Sequence, residues 1–269
     1  MNNTFNINRF LLLLKRQWLD FGKIYFGVLI VLVGIIIAIY SYFIPTPKSG
    51  HFFDYDGNLD MRFRYGLFML LGFFFISIIA SGYYNNLGQK SRAILELMTP
   101  ASTFEKFLAG IFYTAIVSVF SYLLVFYIVD AGFVKYLNSN LPAFSSTLNK
   151  KTSIKDVDGI FYEVINDANY LRYSRYFFVF PFLFTSIFLL GSVYFNRFHY
   201  IKTAMAVMIF TGIAGYIIYK IGYLLTQDMV SISIVSKEDS VLQSTFIVTL
   251  IITIIMWLIT FIRLKEKEV

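Results

Sequence analysis

The chain contains no cysteine, which excludes disulfides, thiol nucleophiles and thiolate metal sites. Only two histidines, His51 and His199, are present, so an imidazole metal centre is not expected, and no metal or cofactor is. Charge is also scarce. Asp, Glu, Lys and Arg make up 14% of 269 residues, against about 25% in soluble domains. Apolar residues reach 58% and aromatics 20%. Such a chain is neither an ordinary soluble enzyme, nor disordered, nor a fibrous repeat. It fits an all-α polytopic membrane protein, because lipid accepts apolar surface all round a helix. The net charge of +7 then points to basic loops at one membrane face rather than to nucleic acid.

Crossing the hydrocarbon core takes about 20 apolar residues. Six stretches qualify: Ile24–Ile44, Tyr65–Gly82, Phe107–Val129, Phe177–Phe195, Ala204–Leu224 and Phe246–Ile262. Five carry no Asp, Glu, Lys, Arg or His, and the fifth in order carries only Lys220, which is expected to snorkel outward. The first stretch is too long for a signal peptide and is followed by Pro45-Thr-Pro47 rather than a cleavage site, so it is read as a retained span. Six spans put both termini on one side. With that side cytoplasmic, the inner segments 1–23, 83–106, 196–203 and 263–269 hold 12 Lys and Arg in 62 residues. The outer segments 45–64, 130–176 and 225–245 hold 10 in 88. The density favours cytoplasmic termini. Trp18, Tyr25, Tyr40, Tyr42, Tyr83, Tyr84, Tyr194 and Tyr200 fall near span ends, where an aromatic belt would lie. The whole of 1–269 reads as one transmembrane domain.

Several connecting segments carry further signals. Ile7–Trp18 mixes leucines with Arg9, Lys15 and Arg16; within the inner segment 1–23 it predicts an interfacial helix, leucines in lipid and Arg9 and Arg16 in water. In the outer loop 130–176, Val157, Ile160, Phe161, Val164 and Ile165 follow helical spacing and predict a short amphipathic helix. Asp156 and Asp158 read as solvated charges, and Asp54-Tyr-Asp56-Gly57 lacks the full calcium-loop pattern. Val230–Val235, within 225–245, either dips into the outer leaflet or forms an exposed β-like loop.

The inner loop 83–106 is the most informative. No helix breaker lies between Lys90 and Thr99, and Ala93, Ile94, Leu97 and Met98 share one helical face. Pro100 ends that helix. Ser102-Thr-Phe-Glu105 then precedes the third apolar run, which is a capping box: the serine hydroxyl accepts an orphan backbone N–H and Glu105 reaches back.

The sequence Leu97-Met-Thr-Pro100-Ala-Ser102-Thr-Phe-Glu105-Lys106-Phe resembles the Leu-Pro-x-Ser-x-x-Glu-Lys region of ABC exporter permeases of the type-2 membrane-domain class. Six spans, a basic interfacial N-terminus and a basic C-terminal stub extend the resemblance over the chain. It implies a permease subunit in a bacterial cytoplasmic (inner) membrane, paired with a second permease as a homo- or heterodimer. It also implies coupling to a separate ATPase subunit through the helix before Pro100. Docking would fall to Arg92, Leu95, Glu96 and Met98, with Pro100, Ser102, Glu105 and Lys106 at the hinge. Spans one, two and five would reorient across the dimer seam, Gly212 and Gly215 allowing close helix approach.

No phosphate-binding Gly-x4-Gly-Lys-Ser/Thr loop is present, so ATP hydrolysis is expected in a partner chain and no catalytic residue is assigned here. The spans also lack the ionisable groups that proton- or sodium-coupled carriers place near the midplane. Two rival classes are a non-transporting membrane anchor or sensor, and an intramembrane enzyme acting on lipids, for which polar catalytic residues are scarce.

Overall fold

A computed structural model describes residues 5–44, 59–88, 98–147, 156–226 and 238–268. Among these the protein is all-α, and six helical segments are long and apolar enough to cross a membrane. The helices are α1 (Ile7–Tyr42), α2 (Phe63–Tyr83), α3 (Thr103–Ile111), α4 (Ser118–Thr147), α5 (Ile160–Asn166), α6 (Ala168–Phe177), α7 (Phe180–Tyr194), α8 (His199–Thr226) and α9 (Glu238–Glu268). A π-helical stretch, Phe112–Val117, joins α3 to α4, and a 3-10 turn, Asn85–Gly88, follows α2. The six expected spans are all present. The protein is an integral membrane protein, and the apolar side chains on its surface, such as Met208 and Phe210 of α8, are those lipid accepts.

Three boundaries differ from expectation. The N-terminal helix and first span are one unbroken α1 of 36 residues, about 54 Å long. Nothing between Arg16 and Ile24 stops it: there is one glycine, Gly22, and a Cβ built there would touch the Trp18 ring at 3.4 Å. The third span does not end at Val129; α4 runs on to Thr147, because Asp130 is buried and paired inside the protein. The fourth span is broken between α6 and α7. Pro181 lies in the first turn of α7, and its missing N–H and bulky ring prevent continuation from Phe177. The amphipathic helix expected near residues 157–165 forms as α5. Asp156 and Asp158 are exposed. Asp54 and Asp56 lie outside the described residues, as do Val230–Val235.

The chain forms two compact units. One comprises residues 1–16, 76–115 and 176–269. In it α7 packs against α8 and α9, and α9 reaches α3 through Phe261, whose ring lies 5.5 Å from Phe107 and 6.2 Å from Phe104. Close approach of α7 and α8 depends on Gly191. A Cβ there would overlap the Thr203 hydroxyl and stand 2.8 and 2.9 Å from Thr203 Cγ2 and Cβ. Beside it Phe188 stacks on Tyr200 at 5.3 Å.

The second unit comprises residues 17–75 and 116–175. Its core is built of rings and aliphatic side chains from α1, α2 and α4: Tyr25, Ile36, Phe75, Tyr122, Phe126 and Leu137 are buried. Each buried tyrosine hydroxyl finds a partner, as low-polarity surroundings require. Tyr122 donates to Phe68 O at 2.5 Å, and the Tyr25 hydroxyl pairs with Ser121.

Because a Cβ at Gly191 would overlap the buried Thr203, Gly191→Ala should cost about 1–3 kcal/mol by overpacking. Thermal unfolding of the detergent-solubilised protein, followed by size-exclusion chromatography, should shift several degrees lower. An unchanged midpoint would mean α7 and α8 are less tightly apposed than described.

Candidate functional site

The first unit gathers the sequence signals around the start of the third span. Met98 lies in a turn with its side chain 76% exposed. Thr99 O accepts the Ala101 N–H at 2.8 Å, a three-residue turn suited to the fixed φ of Pro100. Ser102 then caps α3. Its hydroxyl accepts the Glu105 N–H at 3.2 Å, and Glu105 Oε2 accepts the Ser102 N–H at 2.9 Å. The anticipated capping box therefore forms.

The sequence did not disclose what else Glu105 holds. Asn6 caps α1: its side-chain oxygen accepts the Asn8 N–H at 3.0 Å and the Arg9 N–H at 3.4 Å, and its carbonyl accepts the Phe10 N–H. The Asn6 N–H, free in an ordinary N-cap, donates to Glu105 Oε1 at 2.9 Å. Arg9 grips the same carboxylate side-on, Nε to Oε2 and Nη2 to Oε1, both at 2.7 Å. One fully buried carboxylate thus joins two helix N-termini and a guanidinium. Each N-terminus carries about half a positive charge, and the bidentate guanidinium is the strongest side-chain partner available.

Burial alone would raise the Glu105 pKa. The Arg9 hydrogen bonds, the Asn6 and Ser102 amides and the Arg9 charge overcome it and hold the pKa at about 2, below its ordinary 4.5. A lowered folded-state pKa makes the junction fully effective above pH 4.5 and progressively weaker as pH falls toward 2.

Further contacts align with this junction. The Arg16 guanidinium donates to the Thr99 hydroxyl, and the Tyr113 hydroxyl donates to Leu14 O at 2.8 Å. Leu13 packs on Ala101 and Ala109 with Phe10 and Leu14 at the margin. Leu11 and Leu12 stay exposed. Arg9, expected in water, is half-buried and held by Glu105, whereas Arg16 stays exposed as expected while donating to Thr99. Lys106 is buried, and its carbonyl accepts the Tyr84 hydroxyl at 3.0 Å. Of the anticipated hinge residues, Ser102, Glu105 and Lys106 therefore make defined contacts and Pro100 forms the corner. Of the anticipated docking residues, Met98 is described and exposed, while Arg92, Leu95 and Glu96 lie outside the described residues.

The second unit holds another ionic cluster, built from residues read as loop charges. Arg64 is fully buried. Its guanidinium reaches Asp130 Oδ1 at 3.2 Å, Glu163 Oε1 at 2.9 Å, Asp158 O at 2.9 Å and Met61 O at 3.3 Å. Asp130, also buried, accepts the Tyr40 hydroxyl at 2.8 Å and the Ile160 N–H at 2.8 Å. Tyr65 donates to the other Glu163 oxygen. Arg64 makes four hydrogen bonds and both carboxylates accept at each oxygen, so the cluster ties α1, α2, α4 and α5 together. The described residues contain no group of His, Asp and Glu arranged to hold a metal.

No protein-family model, curated protein or solved structure matches the chain.

Removing one partner of a buried pair leaves an uncompensated charge, at a cost of about 3–5 kcal/mol. Arg64→Met should therefore destabilise the protein by that order in chemical unfolding. Adding Asp130→Asn should recover part of the loss. Equal stability of wild type and Arg64→Met would remove the cluster from the account of the second unit.

Proposed function

We propose that the chain is the membrane-spanning permease subunit of an ATP-driven, ABC-type exporter, worked by a separate ATPase subunit. The Glu105 junction carries this reading. A loop that only connects two spans needs no tie to the N-terminus. Here the segment leaving that loop is bound through Glu105, Thr99 and Ala101 to α1, so a push on Met98 and Pro100 is delivered to the start of two helices together. Such a linkage suits a lever moved by a partner protein.

Two other features support the reading. The buried Asp130 of the second unit is paired with Arg64, the six apolar stretches contain no Asp or Glu, and the sequence has no phosphate-binding loop; these features favour drive by a partner. On α8 a Cβ built at Gly212 or Gly215 would meet nothing within 4 Å, which suits a second permease at a seam of small residues. With the positive-inside density, the Met98 corner belongs on the cytoplasmic side, where an ATPase works. A bacterial inner membrane is the corresponding setting.

Co-expression with an ABC-type ATPase encoded beside it, followed by co-purification, tests the proposal. Met98→Asp and Glu96→Arg should each reduce recovery of the complex and its stimulated ATPase rate, roughly tenfold or more for a central contact. A complex and a rate untouched by both substitutions refute the docking assignment. A stable complex whose ATPase activity never responds to the membrane subunit would favour the anchor reading instead.

A further inference from the structure

Helix α6 stands apart from both ionic clusters and has no buried residue of its own. Its ten residues are polar on average, yet strongly two-sided. Tyr170, Tyr173 and Phe177 recur at the spacing of one helical face, while Arg172 and Arg175 take the opposite side with Leu171 between them. Asp167 starts the helix: its side-chain oxygen accepts the Asn169 N–H at 2.7 Å, and its carbonyl accepts the Leu171 N–H at 2.9 Å. Tyr170 stacks on Tyr65 with ring centroids 5.3 Å apart, which sets the rotation of α6 about its axis. Further along the same face, Tyr173 and Phe177 are 41% and 43% exposed.

What covers that face follows from the length of the next helix. α7 has 15 residues, about 22 Å of helix, against about 30 Å of hydrocarbon. At its far end Phe195 turns to extended backbone, and the polar Asn196 and Arg197 follow. The missing length therefore lies on the α6 side, where only Phe178 and Val179 separate the two helices. Ala168–Tyr194 taken together is long and apolar enough to cross. The edge of the hydrocarbon thus reaches the last turns of α6, which carry Tyr173 and Phe177. Phe177 continues into the apolar surface of the span, its ring 5.1 Å from that of Phe180.

We propose that α6 lies in the headgroup layer of the outer leaflet, with Tyr173 and Phe177 against acyl chains and Arg172 and Arg175 among phosphates and water. Aromatic rings favour that depth, and a short helix with rings on one side and arginines on the other is the pattern that binds a membrane surface without crossing it. The aliphatic stems of the arginines let their charges rise to the phosphates. The turn at Asp167, which joins α6 to the helix bearing Glu163, is thereby held at the membrane surface. Outer follows from the cytoplasmic termini that the density of basic residues favours, and the lipid contact requires no ATPase partner.

The cysteine-free chain allows the test by single cysteine substitutions. Leu171→Cys, Tyr173→Cys, Arg175→Cys and Phe177→Cys would each be nitroxide-labelled in the full chain and reconstituted into vesicles of phosphatidylethanolamine and phosphatidylglycerol. Electron-spin power saturation then compares collision with dissolved oxygen, which enriches among acyl chains, and with a water-soluble nickel complex. Oxygen should dominate at Tyr173 and Phe177, and the order should reverse at Leu171 and Arg175. Nickel dominance at all four sites would place α6 in water, and oxygen dominance at all four would make it a plain continuation of the span; either overturns the proposal. So does shielding of Tyr173 and Phe177 from both reagents, which would mean that protein covers the face. The labels at Leu171 and Arg175 leave both rings in place, so oxygen dominance at those two sites refutes the proposal even if a ring substitution fails to fold.

Discussion

One carboxylate orders the first unit. Glu105 stands at the third position of α3 and completes that helix's own cap, yet it also accepts the cap amide and the guanidinium of α1. A buried carboxylate is costly unless its oxygens are filled, and here two amides and a bidentate arginine fill them. The positive ends of two helices are brought to one negative charge. The packing of Leu13 on Ala101 and Ala109 follows from that placement rather than causing it, because small residues offer little area of their own.

The second unit reaches the same end with the signs reversed. There a buried guanidinium is the hub and carboxylates, carbonyls and tyrosine hydroxyls surround it. Both arrangements answer one constraint. Lipid gives no hydrogen bonds, so each polar group must be matched within the protein. The small polar residues of the helices obey it by bonding to their own backbone: Thr114 to Gly110 O, Thr203 to His199 O and Thr260 to Met256 O. Charge is therefore spent sparingly, in closed sets at the ends of spans.

Much of this was legible in the sequence where the governing interactions are local. Hydropathy found all six spans, and the spacing of Ser102 and Glu105 found the cap, since three residues on one helix turn are neighbours in any fold. The partners of those residues were not legible. Arg9 is 96 residues from Glu105 and Arg64 is 66 from Asp130, and no periodicity connects them. Asp130 misled for a physical reason: a charge ends an apolar run, so the third span was closed at Val129, whereas a charge paired inside the protein does not face lipid and the helix continues. Pro181 misled in the opposite way. It is apolar enough to pass as part of the fourth span, but it removes the backbone donor that continuity needs.

The central claim is that Glu105 and Arg9 fix the start of α1 to the head of α3. The absence of native cysteine makes it directly measurable, because cysteines placed at Leu12 and Met98, both exposed, would be the only sites for nitroxide labels. Pulsed electron-spin distance measurement on the doubly labelled protein should give one narrow distribution at neutral pH. Arg9→Met and Glu105→Gln should each broaden it and move it to longer distance. The same narrow distribution in all three proteins would contradict the account.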